Sequence, residues 1–415
     1  MEALALLAGN PERCAPVIHV AGSKGKGSVT GMLASMLEAD GRRAARYMSP
    51  HICDFRERIC LGNVFFDEQV YCAAGDELRD LAENKVPASK NILFDLDKGG
   101  EPPTFFELLT MYFFLCARTG GCDVMVVETG LGGRLDATNI VDPLVSIITL
   151  IELEHTVFLG TTIAAVAGEK AGIIKPQRPL ILARQKDEAL EVFTGRAAEK
   201  NSLLYYFPDC AAVENVRVHQ GGTDFSLAFS ESGNCMELSI PIPGMVQAEN
   251  AALAVVALKA AFPGFSDDAI SRGLKQVAIS ARFEKIARDP PLIIDGAHTP
   301  ESASLCVDTF CSLYGEGGVL LFACAADKDA AGMAEILVPR FSHVFVTIPG
   351  TFKISDPQKA YRAFSGSSPG KTQYIEDTTE AVRQALETAR KSGLAVLCTG
   401  SFYLASEVRK VLSNN

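Results

Sequence analysis

The stretch from Pro16 to Gly41 constrains the fold of this chain more than any other. VIHVA (17–21) is a largely β-branched run with the character of a buried strand, and GSKGKGS then turns the chain with three glycines and two lysines. Beyond it Val29, Met32, Leu33, Met36 and Leu37 recur at helical spacing, with Gly41 as a stop. Strand, glycine-lysine loop and helix in that order suit the phosphates of a nucleotide. Glycines let backbone N–H groups approach oxygen, the helix N-terminus adds partial positive charge, Lys26 adds a full one, and Ser28 can reach Mg2+. The spacing is not the strict GxxxxGK[ST] pattern: the first glycine would fall at Val20, and Gly27 separates Lys26 from Ser28. A tight connection with no ligand is the alternative reading of such a loop.

At 415 residues the chain is long for one hydrophobic core, so two domains are expected. Apolar residues make up 48% and charged ones 21%, the balance of a globular protein. No apolar run reaches the roughly 18 residues that a membrane helix needs. TFFELLTMYFFLCA comes nearest and carries Glu107, and the opening MEALALLAGNPERC lacks the basic region and cleavage site of an export signal. A net charge of −11 offers no basic face for nucleic acid, which makes Lys24 and Lys26 in one loop more telling. The twelve cysteines form no CxxC pair, pointing to reduced, mostly buried thiols, no zinc site and a cytoplasmic location.

Further along, Met48-Ser49-Pro50-His51 follows a short strand and must be loop, because Pro50 disfavours helix at Ser49. Residues 67–98 carry a helical pattern without readable chemistry. Thr104 and Glu107 have capping-box spacing at the head of an apolar helix, in which Phe105 and Phe106 read as core residues. VMVV (124–127) is a fully apolar strand with Glu128 at its carboxyl end, where ligands bind in open α/β sheets. A carboxylate there needs a positive partner, either a hydrated Mg2+ on nucleotide phosphates or Arg134 in the following glycine-rich loop. A further strand ends at Glu152, Glu154 and His155, and the helix beginning near Thr161 or Thr162 lines up Ile163, Val166, Ala167 and Lys170. A buried Lys170 must lose its charge, pair, or be modified. Alternating stretches between 202 and 243 (LLYYF, AAVENVRVH, TDFSLAFS, MELSIPIPG) suggest antiparallel strands decorating the sheet. Two helices follow, and the chain then alternates strand and helix to its end, with Asp295 and His298 just past a strand. The architecture expected is α/β, with one domain over residues 1–278 and a Rossmann-like second domain over 279–415.

Together HVAGSKGKGS, MSPHI, TFFE, VVETGLGGRLDATN, EHTVFLG, GEKAGIIKP, GMVQAENAALA, ARFE, DGAHTPES, ADKD and TGSFYLASEVR resemble the folylpolyglutamate synthase/dihydrofolate synthase family, a branch of the Mur-type amide ligases. The resemblance runs in order from about residue 2 to 410. It implies a P-loop-containing Mur-ligase-like ATP-binding domain, and a triphosphate held by Lys24, Gly25, Lys26, Gly27 and Ser28. It also implies Mg2+ on Ser49, Glu128 and His155, and a carbamylated Lys170 beside a second metal site. Asn250 would contact adenine, Arg282 and Asp295 would reach ATP across the cleft, and His298 would line the site near the acyl phosphate. Phe106, Asp136 and Ala137 fall where the family seats the pterin. The activity implied is ATP-dependent addition of L-glutamate to a pteroate or folate carboxylate by a monomer without nucleic-acid or membrane partners. The competing readings are a Mur-type ligase for another amino acid and a P-loop kinase or ATP-binding module.

Several positions depart from the family pattern. Ser23-Lys24 replaces threonine-asparagine, Met48 a small polar residue, and Ser280-Ala281 a proline-glycine pair. Thr299 replaces asparagine, Val246 a histidine and Glu154 an aspartate. The segment preceding the phosphate strand is also shorter than the family's.

Overall fold

The computed structural model describes residues 1–83, 103–350, 354–368 and 370–413, so the part of the expected helical pattern beyond residue 83 lies outside it. Eight strands build the first sheet: β1 (Val17–Ala21), β2 (Ala44–Tyr47), β3 (Ile59–Leu61), β4 (Val64–Phe65), β5 (Val124–Glu128), β6 (Val145–Ile148), β7 (Leu180–Leu182) and β8 (Leu204–Tyr206). Their order is β4-β3-β2-β5-β1-β6-β7-β8, parallel throughout except for the β2-β3-β4 edge. β1 and β5 are buried on both faces, which is why VIHVA and VMVVE show no polar alternation.

The helices α1 (Glu2–Leu7), α2 (Lys26–Ala39), α3 (Glu68–Ala82), α4 (Phe105–Thr119), α5 (Thr156–Leu159), α6 (Ile163–Lys170), α7 (Asp187–Glu199), α8 (Phe207–Cys210), α9 (Met245–Ala261) and α10 (Asp267–Gln276) surround this sheet. Ile18 and Val20 pack with α2, α9 and α10 on one face; Val17 joins α1 and α4 on the other, and Ala21 joins α6 and α7. The capping box at Thr104 and Glu107 forms as expected, and Thr162 caps α6. Phe105, at the first turn of α4, is exposed rather than core, because that turn packs Phe106 against the core and leaves its neighbour to solvent.

The strands β9 (Ala211–His219), β10 (Gly222–Phe229) and β11 (Cys235–Ile240) make a separate antiparallel sheet. LLYYF does not join it: β8 pairs in parallel with β7 at the end of the main sheet. Its alternating look reflects edge-strand exposure, which resembles the pattern of an antiparallel hairpin.

The second sheet comprises β12 (Glu284–Arg288), β13 (Pro291–Ile294), β14 (Gly318–Phe322), β15 (Phe341–Val346), β16 (Thr372–Tyr374) and β17 (Val396–Thr399), in the order β12-β13-β17-β14-β15-β16. Only the β12 pairing is antiparallel. α11 (Pro300–Tyr314), α12 (Ala330–Leu337) and α13 (Pro357–Ser367) cover one face; α14 (Thr378–Ser392) and α15 (Phe402–Ser413) cover the other. Ile52, from the loop after β2, packs into that second face and ties the two halves together. All twelve cysteines are free; six of them are buried, fewer than the sequence suggested. Among the described residues no helix is long and apolar enough to cross a membrane.

Candidate active site

The carboxyl ends of both parallel sheets open on one cleft of about 2020 Å³. From the first sheet come the loop after β1, Ser49 after β2, Glu128 at the end of β5 and Glu152 to His155 after β6. From the second come Asp295 to His298 after β13, Ala325 to Lys328 beyond β14 and Gly400 to Tyr403 after β17. In the first sheet β1 runs on to β2 on one side while β5 runs on to β6 on the other, so the cleft lies at a topological switch point.

The phosphate loop is a tight fit. A Cβ at Gly22 would lie 1.8 Å from the Thr149 hydroxyl, and Gly25, at φ +89°, would bring one within 2.4 Å of Asn250 Oδ1. Asn250 on α9 is thereby seated against the loop that α2 begins. Lys26 Nζ donates to Gly22 O at 2.7 Å, and Lys170 Nζ donates to the same carbonyl at 2.8 Å. Two ammonium groups therefore meet at one loop oxygen.

Lys170 is 1% exposed, and among the expected site residues it alone does not line the cleft. It is paired: Glu154 Oε1 stands 2.7 Å from Nζ. Burial, then Lys26, lowers its pKa to about 8 despite that partner. Glutamate in place of the family's aspartate supplies a longer arm for this ion pair.

Glu128 is 4% exposed, and Oε2 accepts the Ser49 N–H at 3.0 Å. Arg134 does not neutralise it, being bonded to Glu169 at 2.9 Å on the outside of the loop. Among the described residues Glu128 has no ion-pair partner; burial raises its pKa and the field of Lys26 opposes the rise. His155 has a left-handed backbone (φ +46°) at the head of α5 and is held below the usual histidine range, chiefly by burial. The described residues hold no cluster of three His, Cys, Asp or Glu placed for a metal. A buried, unpaired carboxylate beside a phosphate loop nevertheless fits a hard cation that takes its other ligands from water and phosphate.

Across the cleft, the Arg282 guanidinium lies over the Phe402 ring at 4.8 Å. The residues on either side of it, Ala281 and Phe283, both have positive φ (52° and 45°), in the left-handed region uncommon for non-glycine residues. Asp295 secures this turn by accepting from Phe283 N and Ala297 N, each at 2.8 Å. His298 Nδ1 lies 2.7 Å from Gly296 O, and burial lowers its pKa to about 4. Lys24 Nζ reaches Thr299 Oγ1 at 3.2 Å, joining the phosphate loop to the head of α11.

At the other end of the cleft Phe106 lies against Gly130, where a Cβ would come within 2.3 Å of its ring. Asp136 and Ala137 open the short turn below it. Phe106 is thus a cleft residue as well as a core neighbour. Sequence reasoning missed Arg58, Lys175, Arg184 and Lys328, four further cations lining the cleft. The strand-end position of ADKD was a signal for Lys328, whereas Arg58 lies in a stretch with no motif.

Residues 93–258 match the Mur ligase middle domain, and 281–402 match the Mur ligase glutamate ligase domain. The dihydrofolate synthase/folylpolyglutamate synthase of Bacillus subtilis is 31% identical over 99% of this chain and 94% of its own length. This chain belongs to the folylpolyglutamate synthase/dihydrofolate synthase family. A folylpolyglutamate synthase from Mycobacterium tuberculosis, solved with ADP, superposes at a TM-score of 0.91 with 29% identity, covering 100% of this chain and 94% of that one. An FPGS–AMPPCP–folate complex superposes at 0.84 with 29% identity, over 99% and 93%. Family membership accounts for the paired α/β sheets and for the phosphate loop's place between them.

Proposed function

We propose that this family member joins L-glutamate to the carboxylate of a pteroate or folate at the expense of ATP. The observation that carries the reading is the shared cleft. A lysine-bearing phosphate loop, a buried carboxylate and an aromatic-acidic end all face Arg282, Asp295 and His298 on the second domain. Relatives solved with ADP and with AMPPCP and folate support it.

In this reading the loop N–H groups, Lys24, Lys26 and Ser28 hold the triphosphate, with Asn250 beside adenine and Arg282 and Asp295 completing the nucleotide site. The γ-phosphoryl passes to the acceptor carboxylate to give an acyl phosphate and ADP. The amine of glutamate attacks the acyl carbon, loses its proton, and inorganic phosphate departs. Lys26 neutralises charge on the transferred group, and His298, held neutral by burial, lines the acyl centre, so the proton of the amine leaves with the departing phosphate. Phe106 and Ala137 flank the flat end of the acceptor, and Asp136 receives its N–H groups. Glu128, Ser49 and His155 would hold Mg2+, which when bound offsets phosphate charge. No protein nucleophile is needed.

Lys170 supports two states. With a pKa of about 8, a fraction of the amine is neutral at physiological pH and open to carbamylation by CO2, whereas Glu154 stabilises the ammonium. An intact-mass increase of one CO2, together with recovery of a Lys170→Ala variant by short carboxylates, supports the carbamate; an unmodified amine at full activity rules it out.

The test of the whole reading is an assay of the purified chain with ATP and glutamate, comparing dihydropteroate with tetrahydrofolate. Phosphate release that requires both glutamate and an acceptor is expected, with the product one glutamate longer. A phosphorylated acceptor formed without amino acid would replace the ligase with a kinase, and turnover only with a different amino acid would move it to another Mur-type activity. The same preparation should sediment as a monomer.

A further inference from the structure

β1 is apolar along its length except at His19, which is completely buried on the same face as Val17 and Ala21. Its Nε2 lies 2.8 Å from Thr138 Oγ1, and that oxygen lies 2.5 Å from Asp136 Oδ1. The Thr138 hydroxyl has one proton and gives it to the carboxylate, so the imidazole must be the donor to Thr138, through Nε2–H. That tautomer leaves Nδ1 as a bare lone pair, and Nδ1 finds no partner among the described residues. Burial, reinforced by Lys175, lowers the pKa of His19 to about 3, which keeps the ring neutral. A leucine or valine at this position would pack on the strand without the penalty of an unsatisfied nitrogen. The imidazole is the one polar side chain of β1, and it begins a polar chain.

The chain ends at the cleft. Asp136 Oδ1 also accepts Thr138 N at 3.0 Å, and Oδ2 accepts Leu131 N at 2.8 Å. The Gly130 N–H also faces the carboxylate, so these donors fix it from the chain's side while Asp136 lines the cleft. We propose that His19 is a positioning residue for the acceptor substrate: through Thr138 it fixes the direction of the Asp136 lone pairs that meet an N–H-rich heterocycle. This rests on the reading that Asp136 faces the acceptor. His19 itself is sealed from the cleft and acts only through Thr138.

The experiment measures KM for the acceptor and KM for ATP, with the other substrates saturating, in Thr138→Val, Thr138→Ser, His19→Phe and His19→Gln. Thr138→Val and His19→Phe are expected to raise the acceptor KM about tenfold, in keeping with a hydrogen bond to a charged group, and to leave the ATP KM within about twofold. Thr138→Ser and His19→Gln, which keep a hydroxyl and an N–H donor, restore most of the loss. In an Asp136→Asn background His19→Phe adds little further. An unchanged acceptor KM in Thr138→Val overturns the proposal, as does a parallel rise in both KM values. If His19→Phe does not fold, the Thr138 pair decides alone. Nitrogen-15 histidine spectra give an independent reading, and an Nδ1–H tautomer at His19 would also overturn it. Asp136→Ala separates the two levels. No change there removes Asp136 from the acceptor site, whereas a large rise beside a silent Thr138→Val removes only the relay.

Discussion

Glu128 combines two properties that pull against each other. Its carboxylate is buried without an ion-pair partner, which costs stability, and it faces the phosphate loop, which is where a cation-binding carboxylate is useful. Glu128→Gln should therefore raise Tm, measured without nucleotide or Mg2+, while lowering turnover on the order of a thousandfold. Lower Tm with full activity would show a purely structural carboxylate. The buried histidines set an acid limit. Free histidine takes up its proton near 6.5, whereas His298 and His19 do so at about 4 and about 3 in the folded chain. A lowered folded-state pKa gives stability that is complete above 6.5 and is lost as pH falls toward those values. Urea midpoints should decline through that window, and His298→Asn should flatten part of the decline. Glu128 and His298 were legible in the sequence because each sits at or just past the end of a strand, whereas His19 read only as part of a buried strand. Their partners were not legible. Arg134 was a reasonable mate for Glu128 along the chain, yet it turns outward to Glu169, and nothing near Lys170 in sequence announced Glu154 as its counterion.

α2 is held in place where it meets α10. A Cβ at Gly273 would lie 2.4 Å from Met36 Cα and 2.7 Å from Met36 N, and Ser35 Oγ donates to Gly273 O at 2.7 Å. The two helices touch backbone to backbone, so Gly273→Ala must push α2 outward. A destabilisation of about 1–3 kcal/mol is expected from overpacking, read as a lower urea midpoint. Because α2 starts at Lys26, the KM for ATP should rise with it; a neutral substitution would mean that the contact is slack. Element types were largely readable from periodicity, as α2, α6 and the second-domain series show. β8 was misassigned because an edge strand of a parallel sheet and a hairpin strand expose their side chains in similar ways. The exposed Phe105 shows the same limit: two adjacent aromatics at a helix start both read as core, and here only Phe106 packs against it.

Among the described residues, several specific contacts join the two domains. Ile52 enters the second core, Gln220 Nε2 donates to Leu313 O at 3.1 Å, and Lys24 reaches Thr299. Lys24 and Thr299 are both departures from the family pattern, 275 residues apart, and only the folded chain shows that they meet. Lys24→Asn and Thr299→Asn should each raise the KM for ATP about threefold to tenfold, and the double variant should fall short of their product. Strict additivity would show that the bond does not link the domains.

The Gly22 carbonyl already receives both Lys26 and Lys170. If Lys26 meets the nucleotide as proposed, nucleotide arrival is an exchange of partners, because the polyanion must win Lys26 away from an oxygen that satisfies it. Inorganic phosphate, at most a dianion near neutral pH, brings less charge to that exchange than a triphosphate, so a loop already satisfied from within favours the more highly charged visitor.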